Sequence, residues 1–368
     1  VIRLASPDID ESEIAAAAEA LRSGQLVQGP RVAAFERELA ERTGAPHVAA
    51  VSNGTAALHL ALLALDIRRG DKVAVTTFSW PATANVIELC GATPVFVDIE
   101  TETYGMDSDR LGEALRRERG IKAVMPVHAF GAMARMHRIR EVADQFQLPI
   151  VEDAACALGA VLDGRPAGTW GRLGCFSFHP RKAATTGEGG AIVTDDPALL
   201  RTLQMLRNHG QDPSAAEVDF VLPGFNYRLS EMQAAVGSAQ LHKLDRFIAA
   251  RRELAAAYDR LLASLPVVIP RSLSPEAHVY QSYVVLLPPD VAEARKALIA
   301  RLRERGVETT IGTYHMPLLT YYRRTYRFKA GDFPVSESIA ARALALPMHA
   351  RMSASDVERV VEALRDTL

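Results

Sequence analysis

From Lys72 to Thr194, short runs rich in β-formers take turns with stretches of helical spacing, and few architectures bury both. The runs are Lys72-Val73-Ala74-Val75, Pro94-Val95-Phe96-Val97, Ala123-Val124-Met125-Pro126-Val127, Pro149-Ile150-Val151, Cys175-Phe176-Ser177-Phe178 and Ala191-Ile192-Val193-Thr194. Between them, 139–147 and 199–206 carry helical spacing. So do Val32, Phe35 and Leu39 and the segment 55–65 earlier on, where Ser52 or Asn53 is the expected cap. Parallel strands need a crossover connection, and a helix supplies it, so this order predicts a wound, mainly parallel sheet covered by helices.

Beyond Gly224 the texture changes. One long helix, rich in Ala, Leu and Arg, is expected from Ser230 to near Leu265, ended by Pro266. A strand-like run at 283–287 and helices over 291–305 and 354–367 follow, the makings of a smaller α+β unit. The expected organisation is a large α/β domain over 1–245, with its N-terminal segment free to pack elsewhere, and a small C-terminal domain over 246–368. The aromatic and basic patch from Tyr321 to Arg327 reads equally as a solvated loop or as a substrate-facing segment.

In such sheets, ligands gather at the carboxyl ends of strands, which draws attention to two residues. Asp153 closes the apolar run Leu148 to Val151, and Lys182 precedes the turn Thr186-Gly187-Glu188-Gly189-Gly190. Each alone has a plain reading, as a strand-end carboxylate and a solvated charge before a tight turn. The glycine run lacks the Gly-Lys-Ser/Thr of a Walker loop, and no His-Glu-x-x-His or paired-Cys motif offers a metal site. A lysine that can hold an aldehyde as an imine, with a carboxylate that keeps a ring nitrogen protonated, is what pyridoxal phosphate requires.

Composition adds boundaries. With 368 residues, 48% hydrophobic side chains and a formal charge of -2, the chain can bury a large core and has no electrostatic footprint for nucleic acid or a membrane surface. Cys90, Cys156 and Cys175 are scattered in apolar stretches, as suits reduced thiols. No apolar run approaches ~20 residues and the start lacks a signal-peptide plan, so a cytoplasmic protein is expected.

Five blocks in order make the reading specific: Arg22-Ser23-Gly24 with Gln28-Gly29-Pro30; Ser52-Asn53-Gly54-Thr55-Ala56-Ala57-Leu58; Glu152-Asp153-Ala154-Ala155; Ser177 to Gly190; and Gly224-Phe225-Asn226-Tyr227-Arg228-Leu229. Ala345-Leu346-Pro347-Met348-His349 also fits. Over nearly its whole length the chain resembles the DegT/DnrJ/EryC1/StrS family of pyridoxal-phosphate aminotransferases, most of which act on nucleotide sugars.

The resemblance implies a fold type I aminotransferase with pyridoxal 5'-phosphate as cofactor. Lys182 and Asp153 become the catalytic pair. Gly54 and Thr55 match the segment that cradles the phosphate, Ser177 a serine that also reaches it, and Trp80 an aromatic residue laid against the pyridine ring. Asn226 matches a position that reaches the phosphate of the neighbouring subunit, which implies a homodimer with shared active sites. His179, Glu188 and Arg228 are further substrate-contact candidates, for which turn, cap and ion-pair roles serve as well. Cys156 departs from the pattern: relatives place Gln or His there to bond the phenolic oxygen, and a thiol is a weak donor.

By the same resemblance, the substrates are a keto-sugar nucleotide and an amino acid donor, glutamate being expected. Retention of Lys182 favours transamination over the dehydratase branch, which has His there, and the opening Ile2 to Pro7 resembles that of 4-keto-sugar enzymes. An aminocyclitol- or aminobenzoate-forming transaminase and a non-catalytic pyridoxal-binding regulator stand as alternatives.

Overall fold

The computed structural model describes residues 1–368. Its centre is a seven-stranded sheet in the order 47–51, 190–194, 173–177, 151–153, 121–125, 72–76, 93–97. Ladders join the first four strands and the last three, and parallel bridges Val124–Ile150 and Val127–Asp153 join the two groups. Only 190–194 runs antiparallel to its neighbours.

Both faces are covered, which is why these strands read as near-continuous apolar runs. Side chains alternate between the two faces along a strand. Ile150, Phe176, Ala191 and Val193 accordingly enter one core, with Val32, Phe35 and Leu39 of helix Pro30–Thr43 and Leu241, Leu244 and Ile248 of helix Glu231–Leu262. Val151, Leu173, Cys175 and Ile192 enter the opposite core, under Leu58, Leu60 and Leu62 of helix Gly54–Ala64. Each fully buried Leu, Ile or Phe contributes about 1.5–3 kcal/mol by leaving water.

Helix Glu231–Leu262 starts with a capping box at Ser230 and Gln233 and runs past the end of the first core. Its second half places Leu254, Ala255, Tyr258 and Leu262 in a separate C-terminal core. That core lies against an antiparallel sheet of 283–286, 343–346 and 310–311. A two-residue pairing of Phe78–Ser79 with Tyr314–His315 ties the C-terminal part back to the large sheet.

Several expectations shift. Strand His47–Val51 and helices Glu11–Ser23, Ala82–Leu89 and Ser108–Arg117 add to the elements read from sequence. The strand expected at 149–151 lies at Val151–Asp153, so Asp153 is its last residue rather than a follower. The helix expected over 291–305 is two, Pro289–Ala292 and Arg295–Glu304.

The patch from Tyr321 is a helix, Thr320–Tyr326, rather than a loop, and none of its residues lines the large cavity at the strand ends. Its tyrosine hydroxyls donate to helix Ala82–Leu89, Tyr322 to Asn85 at 2.6 Å and both Tyr321 and Tyr326 to Glu88.

Candidate active site

Asp153 ends its strand fully buried, facing a cavity of about 990 Å³ at the carboxyl ends of the parallel strands. Its Oδ2 accepts from the Thr83 hydroxyl at 2.7 Å and its Oδ1 from the Ala155 amide at 3.2 Å. Burial pushes its carboxyl above the ordinary range, against the pull of those two hydrogen bonds and of the Lys182 charge.

The adjacent carboxylate faces the other way, as strand alternation requires. Glu152 takes His128 Nε2 at 2.9 Å, the Gly168 amide at 2.9 Å and the Gly171 amide at 2.6 Å. Because His128 Nδ1 accepts from the Ala134 amide at 3.2 Å, the ring proton lies on Nε2, toward Glu152. Glu152 and His128 thus brace the loops behind the site, while Asp153 serves the cavity.

Lys182 sits in the turn after strand Leu173–Ser177, its amide bonded to His179 O at 2.8 Å. Its Nζ donates to Cys156 Sγ at 3.1 Å, so the thiol that replaces Gln or His lies directly against the lysine. Both line the cavity.

Gly54 and Thr55 open helix Gly54–Ala64 at the cavity wall, with Asn53 as N-cap accepting from the Ala56 amide at 2.8 Å. Amides of the first turn lie ahead of the intrahelical ladder and carry the positive end of the helix dipole. A side chain at Gly54 would stand 2.8 Å from Ser177 Cβ, so the bare glycine is what lets the helix start approach Ser177. The result is a small cradle of amides and a hydroxyl, the donor set a phosphate takes.

With a buried carboxylate and an accessible lysine on the same cavity, these residues fit pyridoxal phosphate. Trp80, 62% exposed, lines the cavity and meets Tyr314 edge-on at 5.5 Å.

The candidates separate clearly. Gly54, Thr55, Trp80, Asp153, Ser177 and Lys182 converge on one cavity, with His179 and Glu188 on its wall. Asn226 and Arg228 are outside it. Asn226 is exposed, its backbone bridged to Asn208, and Arg228 donates to Asn208 Oδ1 at 2.5 Å. Sequence reasoning missed Thr83, an unremarkable threonine in a short helix, and the far wall formed by Gln281, Ser282 and 310–314. The polar, β-branched run Thr309-Thr310-Ile311-Gly312-Thr313-Tyr314 was the available signal for that wall.

Comparison with known proteins decides the family. The model of the DegT/DnrJ/EryC1/StrS aminotransferase family matches residues 7–365. The chain belongs to this family. It is an aminotransferase, as the order of the five blocks led us to expect.

A GDP-perosamine synthase of Caulobacter vibrioides is 37% identical over 370 residues, covering 100% of this chain and 98% of the relative. Among solved structures, a Helicobacter pylori aminotransferase involved in the biosynthesis of pseudoaminic acid is 26% identical, with a TM-score of 0.93, covering 100% of this chain and 98% of that one. A candidate sugar aminotransferase of Streptococcus pneumoniae, solved in its PLP form, is 28% identical with a TM-score of 0.94, covering 100% and 99%. The fold is therefore that of the sugar aminotransferases, a mixed α/β chain with a mainly parallel sheet.

Proposed function

We propose that this enzyme moves an amino group from glutamate to the keto carbon of a nucleotide-linked sugar, with a 4-keto-6-deoxy sugar as acceptor. Its cofactor is pyridoxal 5'-phosphate. The observation that carries the reading is the convergence of Lys182 and the buried Asp153 on a cavity at the upper end of the range for small-molecule sites.

When bound, the cofactor supplies an electron sink for the carbon that loses its proton. Lys182 would hold the cofactor's aldehyde covalently and, when free, would carry the proton between the donor α-carbon and C4′. Asp153 keeps the ring nitrogen protonated through a charge-assisted hydrogen bond. The amides of Gly54 and Thr55 and the Ser177 hydroxyl hold the phosphate. Trp80 would lie against the cofactor ring and exclude water.

Adding glutamate to the loaded enzyme is expected to convert bound cofactor to its amine form with one 2-oxoglutarate released per site. A bound chromophore that ignores glutamate, other amino donors included, would favour the regulatory alternative.

The working unit of this reading is a homodimer in the cytoplasm. Asn226, exposed and outside its own cavity, is then free to serve the partner's phosphate. Val218, Phe220 and Val221 on the same loop are 73%, 58% and 52% exposed, which supports burial against a second chain. No helix is long and apolar enough to cross a membrane. The division near residue 245 falls inside helix Glu231–Leu262, so the two parts share one continuous helix.

Mixing Lys182→Ala with Asn226→Ala chains tests the shared site. A heterodimer can collect both lesions in one site and leave the other intact, so activity should return to at most about half the wild-type value per heterodimer. Confirmed exchange without recovery, with Asn226→Ala inactive alone, would place Asn226 within its own chain's site.

A further inference from the structure

The carboxylate of Asp153 sits at the end of a chain of buried hydroxyls. Thr83 Oγ1 lies 2.7 Å from Asp153 Oδ2 and 2.8 Å from Ser79 Oγ. Asp153, Thr83 and Ser79 are 5%, 1% and 6% exposed, so little of any of them meets solvent. An ionised carboxylate only accepts, so the single Thr83 proton points to Asp153, and Ser79 must donate to the Thr83 oxygen. Each bond in such a chain polarises the next, and the donor on the carboxylate gains from it.

Both hydroxyls are fixed by backbone. Thr83 stands at the start of helix Ala82–Leu89, its amide bonded to Trp80 O at 3.1 Å. Ser79 pairs with Tyr314 across the two-stranded tie, which anchors the far end of the chain to the opposite wall of the cavity.

We propose that Thr83, backed by Ser79, is a positioning residue that holds the buried Asp153 carboxylate ionised and in one orientation for the cofactor ring. The proposal rests on the pyridoxal-phosphate reading above. Full burial disfavours the charge, and besides the Lys182 charge two hydrogen bonds from the protein oppose that, one of them from the Ala155 amide at 3.2 Å. The shorter one is Thr83's. A hydrogen bond to a charged group is worth more than a neutral one, so its loss should change the ionisation of Asp153 measurably.

The charged or titratable neighbours of Asp153 are Lys182 from the following turn, His128 from the preceding loop and Cys175 from the paired strand, with Glu152 directed to the opposite face. All four remain in the variants below.

Thr83 donates to the charged form and so lowers the Asp153 pKa; without that donor the carboxyl protonates at higher pH and no longer supports a protonated ring nitrogen.

Cofactor dissociation constants of wild type, Thr83→Val, Thr83→Ser and Ser79→Ala, measured across pH in the full-length protein, test this directly. Thr83→Val should bind pyridoxal phosphate about tenfold more weakly on the acid side, with the acid limb displaced to higher pH. Thr83→Ser should restore the wild-type limb, and Ser79→Ala should move it in the same direction by less.

An acid limb unmoved in Thr83→Val, with cofactor bound, overturns the proposal. If Thr83→Val does not fold, an unmoved limb in Ser79→Ala does so. Failure of the wild type itself to take up pyridoxal phosphate would instead overturn the cofactor reading.

Discussion

Replacing Lys182 with alanine is expected to abolish turnover, by ~10⁴-fold or more, because one side chain is both covalent anchor and proton carrier. The fold should survive. Lys182 lies in a turn at the cavity wall, makes no salt bridge, and its Nζ hydrogen-bonds Cys156 alone. The variant should therefore still hold pyridoxal phosphate noncovalently through Gly54, Thr55 and Ser177. Borohydride reduction of the wild-type enzyme should fix the cofactor's mass on the peptide containing Lys182. Label on another lysine, Lys72 or Lys243 for example, would contradict the assignment.

Asp153→Ala is expected to retain some cofactor yet lose at least ~10²-fold in turnover, as when a preorganised charge interaction at a reacting centre disappears. Phosphate binding should suffer less, since the cradle at Gly54 and Ser177 belongs to other elements. Because Asp153 is buried, with the Thr83 hydroxyl pointed at it, the alanine variant also leaves a polar donor unpaired and should lose some thermal stability. Turnover near the wild-type value with cofactor bound would refute the ring-nitrogen role.

What the sequence disclosed and what it hid follow from distance along the chain. Strands 72–76, 93–97, 173–177 and 190–194 were legible because both faces of the sheet are buried and each strand had to be apolar throughout. Strand His47–Val51 was not. It is an Ala-containing pentapeptide whose strand character comes from pairing with 190–194, a partner far along the chain. Helix Ala82–Leu89 is short and opens without a side-chain cap, so Pro81 was its one local start signal.

The site divides in the same way. Lys182, Asp153 and the Gly54 cradle each lie in a short block whose order was readable. The Thr83 contact to Asp153 joins residues 70 positions apart, and the Ser79 pairing with Tyr314 joins residues still further apart. Both exist only once the sheet is assembled. Asn226 was readable as a block member, and its exposure outside the cavity is information that only the folded chain supplies.

Nitrogen from glutamate should appear on a keto sugar carried by a nucleotide. The most direct measurement incubates the loaded enzyme with ¹⁵N-glutamate and a panel of GDP-, UDP- and dTDP-linked keto sugars, and identifies products by mass and by the carbon that bears the label. The expected product is a ¹⁵N-amino sugar nucleotide, labelled at C4 of a 6-deoxy sugar, formed in equal amount with 2-oxoglutarate. Release of 2-oxoglutarate without label on any nucleotide sugar, while a cyclitol or aromatic ketone accepts the nitrogen, would contradict it.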